Sequence, residues 1–210
     1  IMLYNAIKVK PDIPDLHNNL GLIYRELGES EKSITSFNKA IQLNPNFDVA
    51  YNNQGIVYRD IGDLENAEKN FQYSIKLNPN NSDPYNNLGL IYKDLKQTEK
   101  AKEFFNKCLE INPKNFQSLN NIGNINKNLG EIEIAEKIYK DVISINPNYF
   151  DSYNNLMDLY ERTNQNEKLI DIINETKKKF PDNKIVDLFY GQYLYKVKQF
   201  SQSIKILESI

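Results

Sequence analysis

"SDPYNNLGLIYKDLKQTEKAKEFFNKCLEINPKN", residues 82–115, holds two helical patterns, a short break between them and a closing proline turn. In the first pattern Leu88, Ile91, Tyr92 and Leu95 fall at helical spacing on one face. In the second, Ala101, Phe105 and Cys108 do the same. The stretch is one copy of a period. Pro11, Pro45, Pro79, Pro113, Pro147 and Pro181 stand 34 residues apart without a slip, four of them in an Asn-Pro-Asn or Asn-Pro-Lys turn. A fixed period of that length means a helical array, and repeats are sought before any other feature because missing them misreads the fold. The breaks between the paired helices read "GES", "GDL", "KQT" and "GEI". Gly28, Gly62 and Gly130 suit the left-handed residue that closes a helix.

The spacing of an aromatic, Leu-Gly, Tyr, Ala, Phe and Pro resembles the tetratricopeptide repeat. In residues 82–115 it is Tyr85, Leu88, Gly89, Tyr92, Ala101, Phe105 and Pro113. Residues 48–81 carry Tyr51, Gly55, Tyr58, Ala67, Phe71 and Pro79, with Gln54 in place of the leucine, and residues 14–47 carry His17, Leu20, Gly21, Tyr24, Phe37 and Pro45. The resemblance implies an all-α fold, a right-handed superhelical solenoid of helix-turn-helix repeats. On that reading the chain 1–210 is a single array: 1–13 ends a preceding repeat, 14–47, 48–81, 82–115, 116–149 and 150–183 are full repeats, and 184–210 is partial.

Each residue class has its own physical reason. Gly21, Gly55, Gly89, Gly123 and Gly191 let paired helices approach, and Phe37, Phe71, Phe105 and Tyr139 are expected between consecutive repeats. No repeat then buries its apolar face without a neighbour. Residues 150–183 have Met157 for the glycine, Leu169 for the alanine and Ile173 for the phenylalanine, so that repeat is expected to pack differently.

The first helices also carry two adjacent asparagines, five times, 34 residues apart: Asn18-Asn19, Asn52-Asn53, Asn86-Asn87, Asn120-Asn121 and Asn154-Asn155. Asparagine is a mediocre helix former, so its recurrence asks for a reason. Stacked repeats put equivalent residues in rows. Beside the amide rows run Leu22, Ile56, Leu90, Asn124, Asp158, then Arg25, Arg59, Lys93, Lys127, then Glu26, Asp60, Asp94, Asn128. An amide offers two donors and an acceptor, which suits the alternating C=O and N–H of an extended peptide. The family resemblance implies that these first-helix positions line the concave side. It also resembles the asparagine-lined substrate arm of O-GlcNAc transferases, where ladder asparagines hold an extended polypeptide.

The expected peptide site is therefore Asn18, Asn19, Asn52, Asn53, Ile56, Asn86, Asn87, Leu90, Asn120, Asn121, Asn124, Asn154 and Asn155. The second asparagine of each pair has a structural reading too, holding a neighbouring helix or loop. The basic and acidic rows read as exposed ladders of ion pairs. The expected function is a scaffold that binds a protein or extended peptide; the alternative is the substrate-recognition arm of a larger enzyme, such as a glycosyltransferase.

Other classes find little support. The chain is 40% apolar and 26% charged with a net charge of −2, the balance of a folded protein without the basic excess of a nucleic-acid or anionic-membrane binder. Base-by-base RNA reading by helical repeats fails on the same charge balance. Clamps for chaperone C-terminal carboxylates need cations where Asn18 and Asn53 stand. One cysteine makes no internal disulfide, and no run reaches transmembrane length. Cytoplasm is the expected compartment. His17 reads as a packed ring and Cys108 as a buried thiol, with no nucleophile, metal or cofactor motif, so no catalysis and no cofactor are expected. The sequons at Asn80 and Asn174 matter only in a secreted protein. The chain opens and closes inside helical patterns, so it reads as part of a longer protein, and core residues at its ends (Leu3, Ala6, Ile206, Leu207) predict end-to-end self-association.

Overall fold

The computed structural model describes residues 7–210, and among them every regular element is α-helical. The helices are α1 (Pro14–Glu26), α2 (Ser30–Leu43), α3 (Asp48–Asp60), α4 (Leu64–Leu77), α5 (Asp83–Asp94), α6 (Thr98–Ile111), α7 (Phe116–Asn128), α8 (Ile132–Ile145), α9 (Phe150–Arg162), α10 (Asn166–Lys179), α11 (Lys184–Lys196) and α12 (Phe200–Leu207). Leu3 and Ala6 lie outside the described residues. The chain divides into two compact units between Ser118 and Leu119.

The turns follow from the punctuating residues. The first helix of each pair closes with a left-handed residue: Gly28 (φ 73°), Gly62 (83°), Lys96 (58°), Gly130 (80°), Asn164 (57°) and Lys198 (64°) share one register. The following amide bonds back five residues, as Glu29 N does to the Tyr24 carbonyl at 2.8 Å and Gln97 N to Tyr92 at 2.8 Å. This closure satisfies carbonyls that the helix end leaves without partners. Between repeats, the asparagine that precedes Pro45, Pro79, Pro113 and Pro147 folds its side chain over the turn. Asn44 Oδ1 accepts from Asn46 N at 3.1 Å and Asn112 Oδ1 from Lys114 N at 3.2 Å. Proline fixes the next φ, so asparagine and proline together specify the turn.

In the first unit the helices pair α1 with α2, α3 with α4 and α5 with α6, and successive first helices also touch, α1 with α3 and α3 with α5. The glycines explain how closely the pairs pack. A Cβ on Gly89 would lie 2.5 Å from Phe105 Cε1, and one on Gly55 would lie 2.7 Å from Phe71 Cε1. The ring thus sits on its own repeat's glycine. Phe71 also clusters with Ala67 and with Leu88 and Ile91 of the next repeat, all fully buried. Burying such a ring contributes about 1.5–3 kcal/mol, and part of that contribution depends on the neighbouring repeat.

In the second unit a core of Ala135, Tyr139, Tyr153, Leu156, Met157, Tyr160, Leu169, Ile173 and Val186 runs from α8 to α11. Met157, at the glycine register, is fully buried. It lies in one core with Leu169 and Ile173, and α9 and α10 approach over less of their length than the glycine-bearing pairs of the first unit.

Candidate functional site

The candidate surface is the face of the first helices that carries the amide rows. In the first unit, Asn18, Asn52 and Asn86 are buried, at 6%, 6% and 8% exposure. Their side chains bond across repeats. Asn53 Nδ2 donates to Asn18 Oδ1 at 3.0 Å, and Asn87 Nδ2 donates to Asn52 Oδ1 at 3.1 Å. The Ser118 hydroxyl donates to Asn86 Oδ1 at 2.8 Å. Asn19 is exposed and Asn53 half-buried, while Asn87 is 7% exposed. The first asparagine therefore accepts, and the second of the next repeat donates.

The second unit repeats the geometry. Asn155 Nδ2 donates to Asn120 Oδ1 at 3.0 Å, and the Ser152 hydroxyl donates to the same oxygen at 3.0 Å. Asn120 and Asn121 are buried, and Asn154 and Asn155 half-buried. Asn120 thus accepts two bonds on one oxygen, and Asn87 both donates to Asn52 and accepts from Arg59 at 3.1 Å, so the ladder draws on several of each amide's hydrogen-bonding groups.

The remaining rows differ between units. Leu22, Ile56 and Leu90 are half-buried on the first unit's face, with Ile56 resting against the Phe71 cluster. Asn124, in the same register of the second unit, accepts the Tyr139 hydroxyl at 2.7 Å. That hydroxyl is new to the repeat, since Phe stands at the same register in the earlier ones. The coincidence of Tyr139 for Phe and Asn124 for an aliphatic residue is the sequence signal of this bond. Burial and the nearby Asp158 carboxylate push the Tyr139 phenol upward.

Several members of the charged rows are paired. Arg25 Nε meets Asp60 Oδ2 at 2.8 Å, joining the first two repeats, and Arg59 reaches Asn87 Oδ1 at 3.1 Å. In the second unit Asp158 takes both Lys127 at 2.7 Å and Arg162 at 2.6 Å. Burial alone would raise the Asp158 carboxyl, but the two cations hold it below the usual range.

A second cross-repeat contact recurs behind this face. The Tyr92 hydroxyl donates to Glu68 at 2.7 Å, and the Tyr160 hydroxyl to Glu136 at 3.0 Å, the same register 68 residues on. Burial and then the carboxylate bond push Tyr92 up to about 12. Glu136 also takes Lys140 and Lys168 at 2.7 and 2.9 Å. Burial lifts its carboxyl, and these hydrogen bonds more than reverse that, leaving it at about 2.

The residues of catalytic type are absorbed by packing. His17 Nε2 donates to the Pro11 carbonyl at 2.7 Å, and Tyr153 makes the equivalent bond to Pro147 at 3.2 Å. Cys108 is fully buried, and burial pushes its thiol up, away from the thiolate that nucleophilic chemistry needs. Gln54, which replaces the leucine, is satisfied by Asn38 Oδ1 at 2.8 Å. No helix among the described residues is long and apolar enough to cross a membrane.

Comparisons with known proteins agree with this architecture. Family models described as tetratricopeptide repeat match residues 14–47, residues 82–115, and residues 36–69 with 104–137; another, described as TPR repeat, matches 55–96. No curated protein sequence matches. Among solved structures, pilF of Pseudomonas aeruginosa is similar at 15% identity and a TM-score of 0.81, covering 92% of this chain and 88% of its own. MamA is similar at 26% identity and a TM-score of 0.58, over 68% of this chain and 84% of its own. YrrB, described as a TPR protein with an unusual peptide-binding site, is similar at 20% identity and a TM-score of 0.61, over 88% of this chain and 95% of its own.

Proposed function

The chain belongs to the tetratricopeptide repeat family, and from that premise we propose that it is a protein-binding scaffold whose first-helix face holds an extended polypeptide. The observation that carries this reading is the amide ladder. Its members recur in every full repeat and are aligned by their mutual bonds, and the exposed Asn19 and the half-buried Asn53, Asn154 and Asn155 offer amides that a partner can reach. Preorganised amides lose little further freedom when a peptide backbone binds, which favours affinity. The description of YrrB as a peptide binder points the same way. The charged rows fit a peptide better than nucleic acid, because Asp60 neutralises Arg25 and Asp158 neutralises Lys127.

Photocrosslinking tests the reading. Dodecapeptides selected from a displayed random library on the immobilised chain are incubated with variants carrying a photoreactive residue at Asn19 or Asn155, on the first helices, or at Gln72, exposed on α4. Crosslinks from Asn19 or Asn155 and none from Gln72 are expected. Crosslinking from Gln72 alone would move the partner to the second helices and overturn the assignment.

A further inference from the structure

The first-helix face is not uniform along the chain, and its variation carries a more specific assignment. Resting on the peptide-binding reading above, we propose that the partner segment occupies the first unit alone, across α1, α3 and α5, and that it is an extended, uncharged stretch presenting aliphatic side chains. Three observations carry this.

Leu22, Ile56 and Leu90 form a row of half-buried aliphatic side chains beside the amides, one per repeat. They give α1, α3 and α5 apolar surface that a partner can cover, beside the exposed Asn19 and half-buried Asn53, whose amides can take its backbone. In the second unit the same register is polar and engaged. Asn124 accepts the Tyr139 hydroxyl at 2.7 Å. Asp158 is gripped by Lys127 and Arg162 at 2.7 and 2.6 Å. Covering that carboxylate would strip water from an ion pair and offer no apolar contact in return.

Charge selects the class of partner. Each of the first three repeats carries one cation and one anion in consecutive positions, Arg25-Glu26, Arg59-Asp60 and Lys93-Asp94, so these rows sum to zero. Arg25 is bound to Asp60 at 2.8 Å, and Arg59 to Asn87 at 3.1 Å. A strongly acidic or basic segment would have to break these pairs to gain its own, whereas an uncharged one leaves them standing. Aliphatic side chains match Leu22, Ile56 and Leu90 with no buried charge.

The test uses the 210-residue chain and dodecapeptides enriched on it from a displayed random library. Enriched sequences are expected to carry little net charge and to contain Leu, Ile or Val. With a selected peptide, Leu90→Asn and Ile56→Thr should each weaken binding at least fivefold, while Asn124→Leu and Asp158→Asn should change it less than twofold. Amide NMR shifts on the unsubstituted chain remove any dependence on variant folding, and the perturbed signals should fall on the first helices within 14–94. Perturbations centred on α9, or enrichment of highly charged peptides, would overturn this inference and leave the peptide-binding reading in place. Perturbations confined to the second helices, or no enrichment at all, would overturn both.

Discussion

At the scale of single residues, Lys96 holds the fold in a backbone conformation that its side chain does not favour. Lys96 sits at φ 58°, where Gly28, Gly62 and Gly130 stand in the same register. A side chain in the left-handed region costs about 1–2 kcal/mol, partly offset by the greater freedom glycine loses on folding. Lys96→Gly is therefore expected to stabilise the chain by roughly 0.5–1 kcal/mol, read as a raised urea midpoint, and Gly62→Lys to move it the other way. Ser74 is fully buried and its hydroxyl finds no hydrogen-bond partner. Ala40 holds the same register in the preceding repeat, also fully buried. An unsatisfied buried hydroxyl costs about 1–3 kcal/mol, so Ser74→Ala should raise stability; a loss would mean that the hydroxyl is satisfied in solution. Glu136 gives a pH signature. Its folded carboxyl titrates at about 2, below the ordinary glutamate value near 4.3. The stability it contributes is full above the unfolded pKa and is lost as pH falls from about 5 towards 2. Melting temperatures of Glu136→Gln should fall less steeply than those of the unsubstituted chain over that window.

At the scale of elements, the amide ladder ties one first helix to the next. A double-mutant cycle on Asn52 and Asn87, whose bond is 3.1 Å long and buried, should give a coupling of about 0.5–1.5 kcal/mol. Asn87→Ala alone should cost more, because it strands the Asn52 oxygen and removes the acceptor of Arg59. A coupling near zero would mean that the bond contributes nothing to stability. What the sequence made legible here is what period and residue class encode. The prolines, the glycine beneath each ring and the burial of His17 and Cys108 were readable because each depends on one residue's size or backbone. The direction of the amide bonds was not, since it depends on which oxygen the next repeat brings within reach. Gln54 reads as a lost leucine, yet Asn38 meets its amide at 2.8 Å, and Asn124, expected in the peptide site, also accepts the Tyr139 hydroxyl. Such pairings join positions 15 or 16 residues apart, and no local pattern announces them.

At the scale of the whole molecule, the second unit ends in a hairpin whose apolar residues face solvent. Tyr195, Phe200 and Ile204 are 66%, 50% and 55% exposed, and the rings of Tyr195 and Phe200 meet edge-on at 5.5 Å. Leu207 of the same hairpin is 39% exposed, whereas Ile173, at its register on α10, is fully buried in one core with Val186 of α11. Apolar surface left open on a helical repeat is sticky because stacking is how such repeats bury their cores. The 210-residue chain is accordingly expected to associate as concentration rises, with light scattering giving an apparent mass above that of the monomer. Salt should strengthen the association if the contact is hydrophobic and weaken it if ion pairs dominate. Phe200→Lys combined with Ile204→Lys should restore the monomer mass at the same concentration. Both side chains are exposed, so the melting temperature should move little. A double variant that still associates would place the contact on another surface, and a strictly monomeric parent chain at high concentration would show that the hairpin does not self-associate.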